Sequence, residues 1–173
     1  MKRKVIALLV ATALLGLDAS NTFAQEWIFV RARAIDGDTI RIEAREIGEL
    51  TVHLDGIDAV ESRQRCGPGR RETAEWSCGL TAHLHLVRLF EERGLLRCRL
   101  VGRHQDGLPL AACNLRGGLS VSYEMAKEGL ALALPDADEA LRAAQEDARA
   151  NDRGIWQGPF DAPWDWRRNN PGT

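Results

Sequence analysis

The stretch Asp36-Gly37-Asp38-Thr39, followed further on by Leu54-Asp55-Gly56-Ile57-Asp58-Ala59-Val60-Glu61, decides how this chain is read. Both segments put an Asp-Gly dipeptide at the end of a short alternating run, which is how a strand enters a tight turn. Asp38, Asp58 and Glu61 are therefore expected at strand ends, where a carboxylate is held by the turn and still faces solvent. A hard divalent cation or a general base requires that setting. Asp-Gly is also the ordinary hairpin dipeptide, so either segment taken alone equally describes a surface turn.

Working outward, Trp27 to Ile35 and Thr39 to Ala44 read as strands, the second with Ile40 and Ile42 alternating against Arg41 and Glu43. Gly48 marks the turn into a third strand, Leu50 to Leu54. After Pro68-Gly69 a helix is expected from Arg71 to Arg93, with Trp76, Leu80, Leu84, Val87 and Phe90 as its core face and Gly94 as its stop. Leu95 to Gly102 and Leu108 to Leu115 form a hairpin that turns near Asp106-Gly107. Pro109 lacks a ladder N–H, so the return strand is expected to begin at an edge or a bulge. Val121 to Glu128 and Asp136 to Ala150 read as two shorter helices, and residues 161–173 as a terminal tail that wraps or frays. This order suits a small, mainly β Greek-key barrel with helices, of α+β class.

The N-terminus adds Lys2, Arg3 and Lys4, an apolar run from Val5 to Leu17, then Thr22-Phe23-Ala24. Such a run is too short to span a bilayer and suits a signal peptide over residues 1–24, cut ahead of Gln25. The expectation is an exported protein, periplasmic or secreted, that has no membrane segment after cleavage. Its domain would run from residue 25 to 160. Of 23 basic and 25 acidic residues, cleavage removes Lys2, Arg3, Lys4 and Asp18 and leaves 20 against 24, a net charge of about −4. That balance disfavours tight nonspecific binding of nucleic acid, which rewards Lys and Arg. Cys66, Cys78, Cys98 and Cys113 allow three pairings and include no Cys-x-x-Cys pair of the kind that holds zinc. The favoured pairing is Cys66 with Cys78, closing the loop into the long helix, and Cys98 with Cys113, across the hairpin.

From Val30 to Phe160 the order of landmarks resembles the staphylococcal nuclease-like (thermonuclease) family. These landmarks are Asp-Gly-Asp-Thr, Leu-x-Gly-Ile-Asp-Ala-x-Glu, a long helix, a hairpin ending in Leu-Ala, Glu-Gly-Leu-Ala and Gly-Ile-Trp. The resemblance implies a five-stranded OB-fold barrel with three helices, and calcium-dependent hydrolysis of DNA and RNA phosphodiesters. It implies calcium ligation by the carboxylates of Asp38 and Asp58 and the backbone carbonyl of Ala59, and a general-base role for Glu61. The family also uses two arginines to stabilise charge on the phosphoryl group. Their positions here are His53 and Leu108, and the family proline between Asp and Glu is Val60.

Losing one charge-stabilising donor lowers rates by about 10² to 10³, so two losses imply weak or absent catalysis. An unperturbed imidazole titrates near ~6.5, so His53 would imitate arginine only below that pH. Arg63, Arg65, Arg70 and Arg71 are alternative cations, read more simply as solvated loop residues. His83 and His85 lie on nearly opposite helix faces and cannot chelate one ion, while His104 belongs to the hairpin loop. Trp164, Trp166, Arg167 and Arg168 interleave aromatic and basic side chains, as single-stranded nucleic acid binders do, and as packing clamps also do. Three readings remain open: a nuclease-like domain with weak or lost catalysis, a slow calcium-dependent nuclease, and an OB-barrel binder of a peptide or oligosaccharide.

Overall fold

The computed structural model describes residues 26–69 and 73–172, so the expected signal peptide, Arg70 and Arg71 lie outside the described residues. Five strands close into a barrel in the order β1 (Ile28–Ala34), β2 (Thr39–Ala44), β3 (Gly48–Leu54), β6 (Pro109–Asn114), β5 (Leu96–Arg103), with β5 returning to β1. Every pairing is antiparallel except β3 with β6. This is the OB-like, α+β barrel expected from the sequence. Two short strands, β4 (Ile57–Ala59) and β7 (Ala131–Ala133), form a separate ladder that the alternation did not foretell.

Alternation along the strands sets what faces inward. Val30, Ile40, Ile42, Val52, Leu54 and Leu96 are buried, while Arg31, Arg41 and Arg97, their neighbours in sequence, are exposed. Each such aliphatic side chain contributes about 1.5–3 kcal/mol by leaving water. His53 falls between Val52 and Leu54 and so points away from the barrel interior, opposite Thr39 in the β2–β3 ladder. Pro109 opens β6 at the first ladder position, where its missing N–H is tolerated. β6 is nevertheless an inner strand, and the irregularity lies across from it, between Leu100 and Gly102 of β5.

The long helix corrects the sequence reading in two respects. α1 spans Cys78–Arg93, so it starts well after Arg71, and Trp76 sits instead in an isolated bridge with Cys66. Its core face is Ala82, Leu86, Leu89 and Phe90; Leu80 and Leu84, expected inside, are about half exposed. The cause is the disulfide at its start: Cys78, fully buried and bonded to Cys66, rotates the helix so that positions 82, 86 and 89 follow it inward. Gly94 ends α1 with positive φ, as expected.

The pairing of cysteines is as expected, Cys66 with Cys78 and Cys98 with Cys113, the latter directly opposite in the β5–β6 ladder. α2 (Val121–Lys127) and α3 (Glu139–Ala150, capped by Asp138) follow, then a short 3₁₀ turn, Gly154–Gln157. The terminal tail is not frayed: Pro163–Asn169 form a fourth helix, α4, with Pro163 buried at its first turn. No described helix is long and apolar enough to cross a membrane.

Candidate functional site

At the barrel mouth the two motifs of the opening stretch are tied together. Asp36 Oδ1 accepts the N–H groups of Asp38 and Thr39, which fixes the turn between β1 and β2. Asp38 Oδ2 accepts the N–H of Ala59, and its Oδ1 accepts the Thr39 hydroxyl. Gly37 is required here, because a Cβ at this position would lie 2.7 Å from that of Ala59 and 3.1 Å from that of Ala82 on α1. At Gly79 a Cβ would stand 1.7 Å from the backbone oxygen of Glu61. Helix α1 therefore sets the place of the Glu61 loop by direct backbone contact. Gln64, buried, secures the loop's far side by accepting the Glu61 N–H and donating to the Asp161 carbonyl.

Asp36, Asp38, His53, Asp58, Glu61, His104, Asp106 and Arg167 all line one cleft of about 210 Å³. The structure thus brings together the expected Asp38, Asp58, Ala59, Glu61 and His53. Leu108, the second arginine position, does not line the cleft; its N–H serves the hairpin turn by donating to Asp106 Oδ1. Arg65 is exposed and engaged with Glu75 and Ser77, and Arg63 is exposed; neither lines the cleft.

Arg167, from α4, does line the cleft. Its guanidinium donates to both oxygens of Asp58, at 2.9 and 2.7 Å, and to Glu61 Oε1 at 2.6 Å. The Asp58 bonds first, then those to Glu61, hold the guanidinium pKa above its ordinary value against the opposing effect of burial. The sequence singled out Arg167 within an aromatic and basic tail, but nothing local indicated that it would meet residues 109 positions away.

The opposite wall carries imidazoles. His53 Nδ1 lies 3.1 Å from Thr39 Oγ1 and 3.7 Å from Asp38 Oδ1, and its Nε2 lies 2.8 Å from Asp106 Oδ2. Bonding with Asp38 raises the His53 pKa most; burial opposes it, and Asp106 adds to the rise, to about 9. Buried Asp38 outweighs the closer Asp106 because the charge of an exposed carboxylate is screened by water. His53 is therefore cationic at neutral pH, which corrects the expectation that it loses charge near ~6.5. Burial pushes Asp38 up, but bonds from His53 and the Ala59 N–H prevail and hold it below the usual carboxylate range. Asp36 is pushed up to about 6, first by burial and then by the charge of Asp38.

His104, placed by sequence in the hairpin loop, joins this wall: its Nδ1 is 3.0 Å from Asp106 Oδ1 and its ring centroid 4.4 Å from that of His53. His83 and His85 do not line this cleft. Larger clefts of about 610 and 730 Å³ lie elsewhere; the first is lined by Asp55, Asp136 and Asp138, but among the described residues neither brings three His, Asp or Glu ligand atoms within 4.8 Å of one another.

The oxygen donors of Asp38 and Asp58 suit a hard cation such as calcium. Asp58, however, is fully committed to Arg167, and both oxygens of Asp38 already accept hydrogen bonds. No protein-family model and no curated protein matches this chain.

Proposed function

We propose that this chain is an exported, thermonuclease-like domain whose phosphodiester-hydrolysing site is held in a weakly active, internally paired state. One observation carries the reading: Asp38, Asp58, Glu61 and a cationic His53 converge on one cleft, with Arg167 bonded to Asp58 and Glu61. Glu61 would be the base; the guanidinium holds its Oε1, so the carboxylate is tethered to Arg167 when it meets water. Calcium, where bound, would be held by Asp38, Asp58 and the Ala59 carbonyl and would polarise a phosphoryl oxygen; Arg167 must first leave Asp58. His53 would face the phosphoryl group as a cation. Two disulfides support export, and the acidic net charge favours weak rather than tight engagement of nucleic acid.

A slow but working calcium-dependent nuclease is the second reading, favoured by the charge that His53 keeps up to about pH 9. Plasmid degradation with and without calcium tests both. The proposal expects slow cleavage by the wild type, and faster cleavage by Arg167→Gln and by the pair His53→Arg with Leu108→Arg. Wild-type cleavage that Arg167→Gln leaves unchanged would favour the second reading. If none of these folded proteins cleaves in calcium, the barrel is a binding module for a peptide or oligosaccharide.

A further inference from the structure

We propose that His53, His104 and Asp106 form a binding site for a borderline divalent transition metal, with zinc as the representative ion. It is distinct from the carboxylate set of Asp38, Asp58 and Glu61. Among the described residues, these three are the one group of His, Cys, Asp and Glu side chains whose ligand atoms all lie within 4.8 Å of one another. Two bond-length neighbours in a tetrahedral zinc site stand about 3.4 Å apart. Asp106 meets His53 Nε2 with Oδ2 at 2.8 Å and His104 Nδ1 with its other oxygen, Oδ1, at 3.0 Å, each contact close to that spacing.

The donor set chooses the ion. Two imidazoles with one carboxylate suit zinc and its first-row neighbours, whereas calcium prefers oxygen alone. Three protein ligands leave a fourth position open toward the cleft, the pattern of reactive rather than structural zinc sites.

Support behind His53 is also in place. Ionised Asp38 can only accept, so the Thr39 hydroxyl donates to it and accepts from the Nδ1–H of His53. That relay leaves Nε2 as the ligating nitrogen and aims it at Asp106, as outer hydrogen bonds do for metal-bound histidines. The hairpin closes through His104 N–H to the Leu108 carbonyl and Gly107 N–H to the His104 carbonyl, and the turn also sends Asp106 N–H to His104 Nδ1 at 3.5 Å and Leu108 N–H to Asp106 Oδ1 at 2.9 Å. Bound there, the ion would set a permanent positive charge where positions 53 and 108 lack arginine, a consequence that rests on the nuclease-like reading. The binding itself does not.

The test is zinc titration of the full, disulfide-bonded protein against a chromophoric chelator, repeated with Co²⁺ to read its visible ligand-field bands. One ion per chain is expected, with tetrahedral Co²⁺ bands. His104→Ala and Asp106→Asn, both at an exposed hairpin, should each weaken zinc by more than about 10-fold, and Thr39→Val by about 10-fold through loss of the support. Asp58→Asn should leave zinc binding at the wild-type value. Zinc affinity that His53→Ala and His104→Ala leave unchanged, or zinc displaced by equimolar calcium, would overturn the site. Because no nucleic acid enters the titration, failure of the nuclease reading leaves this result untouched, and failure here leaves the calcium reading standing.

Discussion

On one wall of the cleft Asp58 and Glu61 are met by Arg167, 109 and 106 positions away in the chain; on the other, Asp38 and Asp106 are met by His53. The first wall is countered by a cation that never titrates in the range where proteins fold. The second is countered by one that does, and that can be exchanged for a metal ion. The same charge compensation is thus fixed on one side and adjustable on the other. The fixed side depends on a helix docked from the end of the fold. The adjustable side is built from β3 and the tip of the β5–β6 hairpin.

The strongest way to separate the walls is through the disulfides. Replacing Cys66 and Cys78 by alanine should cost about 3 kcal/mol in denaturant unfolding, and replacing Cys98 and Cys113 about as much. The first pair should also loosen the Glu61 loop, seen as faster amide exchange there, because Cys66 and Cys78 join that loop to α1. The second should leave that loop protected. Equal loosening by both would show that the two walls are one cooperative unit.

Next in size is Arg167→Gln. Three charge-assisted bonds are lost, but the guanidinium is 45% exposed, so the expected cost is about 1–2 kcal/mol. Calcium affinity should rise about 10-fold by calorimetry as both Asp58 oxygens are released from the guanidinium. An unchanged affinity would locate calcium away from Asp58.

For the adjustable wall, NMR titration of the His53 ring should give a midpoint near 9 in the wild type. The value should be lower in Asp106→Asn, which removes one of the two carboxylates that raise it. Because the folded value lies above the unfolded one, the stability this contributes is complete below about pH 6.5 and is lost as pH rises through 9. The Arg167 wall should show no such loss over that interval. The smallest effect is expected at the barrel exterior, where Arg41 and Glu49 pair with half-exposed side chains. Arg41→Ala should change stability by less than about 0.5 kcal/mol, which calibrates the other measurements.

Much of the fold was legible because it depends on local pattern. Alternation placed β1, β2 and β3, the Asp-Gly turns located the mouth, and cysteine spacing led to the observed pairing. The face of α1 was misread because apolar residues recur on more than one stripe of that helix, and the Cys66–Cys78 bond chose the stripe. The gathering of Asp38, Asp58 and Glu61 could be expected from strand ends. The approach of Arg167 could not, since an ion pair across 109 positions leaves no periodicity in the chain. The shift of His53 was equally hidden, because it arises from two carboxylates that are far from it in sequence.

The near contact between Gly79 and the Glu61 carbonyl has a consequence for how such a protein can drift. Position 79 has no functional group, yet any change in its codon that alters the residue introduces a Cβ into a space of 1.7 Å. The acid at position 61 could be swapped and the fold retained, but the floor beneath it cannot be altered without moving the loop. A lineage that keeps Glu61 in place is therefore bound at a site where chemistry is absent. An inventory confined to reactive side chains would miss the position that limits them most.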